Sequence, residues 1–430
     1  MKKLYILFSF SIFSLFFLNT EDVDLDSAID RALKQNYDLK KESLNLFDKK
    51  ITVYDSWNIF SPSVSAGFSL SKKYDLPSSN TTSSSTNNPS FSIGISQPIE
   101  IKMIFNVIQN YYDYKDGKIS FEKYKKNLTG EIKKNYFSLV LMHEQLKLKK
   151  VTLDNAKERY EQSIIQFKSG EISELEKMNR ELSYKMLSPE YTKAENDYNY
   201  SLDQFKILLG IEVEKEIKLT TEIPDMPDVS GIRKKIEDIN LENNQELLLA
   251  NNKVAKDAAS RNVYIAQMMP TFSFSYNFTN SFQKDPFTTS WFEKDWKQSN
   301  TIGFNVSWKL DYLLPLSSLQ LNIIKMQDSI KRDELDIKKI KERNKSRLDS
   351  ILARMDQLAE SYENLEFNIN LSRQVYKYTL NEFKSGSKNM NDLKDAESNM
   401  TDAYLKLLAG RYEFISLICD LELLLNVNIE

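Results

Sequence analysis

Four stretches of the chain alternate apolar with small polar residues at a period of two. In Thr271–Asn280, Phe272, Phe274, Tyr276 and Phe278 alternate with Ser273, Ser275 and Asn277. Ser63–Ser71 sets Val64, Ala66, Phe68 and Leu70 against serines and Gly67, and Ser90–Gln97 sets Phe91, Ile93 and Ile95 against serines and Gly94. Thr301–Leu310 carries Ile302, Phe304, Val306, Trp308 and Leu310 at the same spacing. Such alternation predicts β-strands with one apolar and one small polar face. Most of the remaining chain reads as long polar helix, so the apolar faces have no second layer to bury them, and lipid is the candidate solvent. At about nine or ten residues each, the strands suit a tilted bilayer crossing. Four strands are too few to close a membrane barrel, whose smallest common form has about eight, and an open edge is not tolerated in hydrocarbon. Either several copies pool their strands, or the strands are not in a membrane.

The helical periodicity predicts one helix from Leu25 to about Phe60, capped by Asp24 or Asp26 and ended by Pro62. Ser78–Asn88 is polar throughout and reads as a loop, and Pro98 reads as the end of the second strand. From about Lys102 to Phe167 there is no proline, and the glycines are Gly117 and Gly130 alone. Such a helix would be about 100 Å long. A turn at Lys168–Ser173 precedes a helix to about Leu209, ended by Gly210, and Glu222–Gly231 reads as a linker. Then the plan recurs. Asn244, Leu247 and Pro270 follow Asn36, Leu39 and Pro62 at an offset of 208. The second strand pair flanks a loop, Asn280–Asn300, that holds Trp291 and Trp296, and Pro315 marks entry into a second long helix.

A heptad series fixes the duplication. Ile132, Leu139, Leu146, Leu153, Tyr160 and Phe167 match Leu348, Met355, Tyr362, Ile369, Tyr376 and Phe383 one for one at an offset of 216. Sustained spacing of seven makes a coiled-coil seam. Both series end alike, in Phe167-Lys168-Ser169-Gly170 and Phe383-Lys384-Ser385-Gly386, with glycine placed as a helix C-cap. The expected divisions are a signal peptide over 1–20, repeat 1 over 21–225 and repeat 2 over 226–430, each repeat a helix, a strand pair and a long helical hairpin.

Composition narrows the function. In 430 residues there are 10 glycines, and the net charge is −3 with 28% charged residues, which gives no basic field for nucleic acid. Cys419 and His143 are the single cysteine and the single histidine, so no disulfide forms within one chain and no Cys/His metal cluster is expected. No Ser/His/Asp set, glycine-rich phosphate loop or HExxH accompanies His143, which reads as a surface or seam residue, and Cys419 reads as a packed thiol. Neither catalytic residues nor a cofactor are expected. Met1–Thr20 places Lys2 and Lys3 before an apolar run, Leu4 to Leu18, and reads as a cleaved secretory signal.

The helix LDSAIDRALKQNYDL (Leu25–Leu39), Ser96-Gln97-Pro98-Ile99, the Leu208-Leu209-Gly210 helix end and the paired Phe-x-x-Gly turns, in this order, resemble the TolC-like outer-membrane efflux proteins across essentially the whole mature chain. The resemblance implies an α+β fold. In it a homotrimer pools four strands per protomer into one twelve-stranded β-barrel in outer-membrane lipid, continued by a helical coiled-coil barrel through the periplasm. It implies a passive duct for small molecules or proteins, served by a periplasmic adaptor (membrane fusion) protein and an inner-membrane pump of RND or ABC type, in tripartite efflux or type I secretion. The tips Phe167, Lys168, Ser169, Gly170, Phe383, Lys384, Ser385 and Gly386 would form the periplasmic entrance and dock the adaptor. Asp392 and Asp395 match the family's pore-lining aspartates. Lys388 and Glu176 match a closing contact in which an arginine is common at the first position, with Asn179 as a polar partner. Phe383 stands where a tyrosine hydroxyl is frequent. The competing reading is an exported coiled-coil scaffold or adhesin with ordinary strands.

Overall fold

The computed structural model describes residues 21–75, 84–236, 239, 241–282 and 296–429. The expected signal and Trp291 lie outside them. In chain order the elements are β1 (Glu21–Val23), α1 (Leu25–Gln35), α2 (Tyr37–Ser56), β2 (Ser63–Asp75), β3 (Ser84–Ile99), α3 (Lys102–Lys168), α4 (Glu174–Leu209), β4 (Ile217–Leu219), α5 (Val229–Ile236), α6 (Gln245–Gln267), β5 (Thr271–Phe282), β6 (Trp296–Ser307), α7 (Ser318–Lys384) and α8 (Met390–Leu425). Both α3 and α7 have 67 residues, and both α4 and α8 have 36. Each second copy starts 216 residues after the first.

Several boundaries differ from the sequence expectation. The helix expected from Leu25 to about Phe60 is broken at Asn36, whose side-chain carbonyl accepts from the Leu39 amide at 2.8 Å while its amide donates to the Leu208 carbonyl at 2.8 Å. Asn244 caps α6 in the same way, accepting from Glu246 and Leu247. Residues 84–88, expected as loop, are strand: β2 and β3 stay paired from Ser63↔Ser96 out to Asp75↔Ser84, where polar residues on both faces hide the period. Pro98 does not end β3. It and Pro89 sit where β3 has a neighbour on one side only, β5 at Pro98 and β2 at Pro89, so neither missing N–H removes a ladder bond. The last strand ends at Ser307 rather than Leu310, and the Trp308 indole N–H turns back to the Met268 carbonyl at 2.9 Å. The expected linker runs into α5.

The chain forms two compact units, and each draws on both halves of the sequence. Among the described residues, the first comprises those of 21–41, 124–241 and 344–429. Its core packs Val229, Ile232 and Ile236 of α5 against Ile351, Met355 and Leu358 of α7 and Phe414, Ile418 and Leu421 of α8. Each such side chain contributes about 1.5–3 kcal/mol of transfer free energy. Parallel pairing of β1 with β4 makes a small sheet. Tyr136 of α3, fully buried, ties it down: the hydroxyl donates to the Val23 carbonyl at 2.9 Å and accepts from the amides of Thr220 and Thr221 at 3.0 and 2.8 Å. Of the heptad positions, Ile132, Leu139, Met355 and Ile369 are buried.

The second unit comprises Glu42–Lys123 and Glu242–Arg343. It holds a four-stranded antiparallel sheet in the order β2-β3-β5-β6. Among the described residues no helix is long and apolar enough to cross a membrane.

Candidate functional site

Strand register decides what the sheet can do. Val64, Ile95, Tyr276 and Ile302 form one row across it, Ala66, Ile93 and Phe278 a second that ends on Asn300, and Phe68 with Phe91 a third that continues into Asn280 and Gln298. Between them lie rows of Ser63, Ser96, Ser275 and Gly303, then Ser65, Gly94, Asn277 and Thr301, then Gly67, Ser92, Thr279 and Ser299. Because side chains alternate at a period of two, four strands in register give a sheet with one mainly apolar face and one of small polar residues. Hydroxyls on the polar face bond to each other, Ser63 to Ser96 and Ser69 to Ser90, both at 2.8 Å. On the apolar face Val64 is 69% exposed, Phe68 63%, Ile302 73% and Phe304 68%. A water-soluble sheet would bury that face, and contiguous exposure on this scale marks an interaction surface.

At the other functional candidates, the two hairpins turn on identical geometry. Gly170 and Gly386 have φ of 78° and 79°. The Gly170 amide bonds to the Phe167 carbonyl at 3.1 Å and the Glu171 amide to the Gln166 carbonyl at 2.8 Å; Gly386 to Phe383 at 3.1 Å and Ser387 to Glu382 at 2.9 Å repeat the pattern. This pair of bonds satisfies orphan carbonyls at a helix end and requires a left-handed residue. Ser169 and Ser385 add hydroxyl bonds to the Gln166 and Glu382 carbonyls. Phe167 is exposed, with the Lys177 ammonium 4.7 Å from its ring centroid. Lys168 and Lys384 are exposed beside the turns.

The structure brings only some of the expected gate residues together. Glu176 pairs within its own helix with Arg180 at 2.6 Å, and Arg180 also donates to Gln166 of α3 at 3.0 Å. Glu176 and Asn179 line a cleft of about 520 Å³ with Arg159, Asn391 and Lys394. Asp392 is committed to a capping box: its amide donates to Asn389 Oδ1 at 3.0 Å and its carboxylate accepts from the Asn389 amide at 3.2 Å. Asp395 and Lys388 are exposed and make no side-chain ion pair among the described residues. Sequence reasoning missed Glu397. It is buried on α8, accepting from Asn155 at 2.7 Å and Arg159 at 2.8 Å, both on α3. An acid four residues after Leu393, on the same apolar stripe, was the available signal.

No family profile and no curated protein matches the chain in sequence. Solved structures do match in shape. The Campylobacter jejuni CmeC outer-membrane channel superposes with a TM-score of 0.80 over 93% of this chain and 85% of its own, at 16% identity. The chain has the TolC-like outer-membrane channel fold. The Vibrio cholerae outer-membrane protein VceC (TM-score 0.73, 12% identity, 94% of this chain and 97% of that one) and the open state of the Neisseria gonorrhoeae MtrE channel (TM-score 0.74, 14% identity, 94% and 89%) carry the same fold. CmeC and MtrE are channels rather than enzymes. In this version of it His143 is exposed beside Tyr198, at 5.4 Å between rings, and the Cys419 thiol is buried.

Proposed function

We propose that the protein is a passive outer-membrane channel-tunnel, a homotrimer whose twelve strands close one barrel and whose helices continue through the periplasm. The single observation that carries this reading is the register-sorted sheet, apolar on one face and hydroxylic on the other. Lipid covers the first and a water-filled lumen meets the second. The sheet's two edges are different strands, β2 and β6, so copies join head to tail and close by rotation. The helices support the same mode. Leu175, Met178, Leu182 and Met186 leave a stripe exposed on α4, and Phe367, Leu371, Val375 and Tyr378 leave another on α7. Since α3 is bonded to α8 through Glu397, these are the outward stripes of the two hairpins, suited to meet between neighbouring copies. Equal element lengths support the duplication into 21–225 and 226–430.

By this reading the hairpin tips dock a periplasmic adaptor, an inner-membrane pump supplies energy and cargo selection, and the duct passes small molecules or proteins. Asp392 and Asp395 from three copies ring the entrance and favour cations. Single-channel recording in a planar bilayer tests it. Wild type is expected to pass small, cation-selective currents that grow or lose selectivity in Asp392→Asn plus Asp395→Asn, the amide at 392 retaining an acceptor for the helix cap. A monomeric mass without current would point to the exported scaffold instead.

A further inference from the structure

In the second compact unit α6 is gripped by polar contacts from both long helices. Asn252 donates to the Tyr112 carbonyl of α3 at 2.9 Å, Lys256 pairs with Asp113 of α3, and Lys253 pairs with Asp333 of α7. The last pair is unbalanced. Asp333 is 4% exposed; Lys253 satisfies its Oδ1, while its Oδ2 is buried without a donor. One turn along α6 from Lys253, Asp257 accepts at 3.0 Å from the hydroxyl of Ser329, which lies one turn before Asp333 on α7. One buried carboxylate, Asp333, and one half-buried, Asp257, therefore face one lysine. The other charges near them do not restore balance: Lys256 is engaged by Asp113, Arg343 by Glu246, and Asp336 adds negative charge beside Lys253. Asp116 and Lys339 stand further along the same cleft.

A proton would supply the missing donor and offset the surplus negative charge together. We propose that Asp257 and Asp333 form a proton-binding site, the shared proton closing a clasp between α6 and α7. Asp257 carries the proton and donates it to Oδ2 of Asp333, whose Oδ1 receives Lys253. Burial pushes the Asp257 carboxyl above the usual range, opposed by the Ser329 hydrogen bond and reinforced by Asp333. A carboxyl raised in this way stabilises the fold fully below the ordinary aspartate value, and that stability is lost as pH rises through the raised one. The clasp is closed in acid and strained in alkali.

Infrared spectroscopy of the full-length protein in detergent tests this directly. Just above the ordinary aspartate pKa of ~3.9, wild type should keep a protonated-carboxyl carbonyl band beyond the common carboxylate background and lose it on further alkalinisation. Asp257→Asn should lack the band, and so should Asp333→Asn, which serves if the first variant folds poorly. Because the amide of Asp257→Asn still donates to Asp333, its helical melting temperature should lack the alkaline fall that wild type shows. Absence of the band in wild type, its persistence in both variants, or its removal by magnesium at fixed pH would each overturn the shared proton, the last by assigning the pair to a metal cation.

Discussion

Glu397 shows how a single buried acid can hold two hairpins together. Its carboxylate is shared by Asn155 and Arg159, and the Arg159 side chain is 21% exposed. Removing one member of such a set leaves the others desolvated and unpaired. Glu397→Ala should therefore lower stability by about 2 kcal/mol, a value below that for fully buried pairs because Arg159 keeps some water. Glu397→Gln, which still accepts from Asn155, should lose roughly half as much. Urea unfolding monitored by helical circular dichroism measures both. Burial beside Glu397 also pushes the Tyr376 phenol up. Residues of this kind were the least legible in the sequence. Asn36, Tyr136 and Glu397 each bond to partners more than eighty positions away, which local periodicity does not name.

Elements were read more faithfully than residues, because the long helices and strands each have a strong period. Turn chemistry was also legible where one residue type is required. Gly170 and Gly210 both lie in the left-handed region, at φ of 78° and 72°. A Cβ at Gly170 would meet nothing within 4 Å, whereas one at Gly210 would come 2.7 Å from the Gln35 carbonyl oxygen. Gly170→Ala should thus lower stability by about 1–2 kcal/mol through backbone strain alone, and Gly210→Ala by clearly more; a reversed order in thermal melts would contradict the packing. Asn426, at φ 61°, ends α8 where Gly210 ends α4. Strand ends were legible only as far as alternation reached, so β2 and β3 outran their expectation in the serine- and asparagine-rich segment. The exposed stripes on α4 and α7 yield a test of assembly. Leu182→Glu or Phe367→Glu should leave the helical signal of the protomer intact and convert the proposed trimer to monomer in light scattering, since each buries a charge only when copies meet.

At the scale of the whole molecule, the channel reading rests on chemistry shared among copies. Apolar exposure on one sheet face is tolerable in lipid and hazardous in water, where unpaired strand edges invite aggregation. Neither β2 nor β6 of one copy can pair with its own counterpart in a head-to-tail ring; each needs the other edge from a neighbour. That asymmetry has a genetic consequence. A chain with a sound β2 and a spoiled β6 would still be accepted at one joint and leave the next open, so defective subunits would be built into rings and ruin them. Mutations along β6 should accordingly behave as dominant over a wild-type copy expressed in the same cell, whereas loss of the whole chain should be recessive.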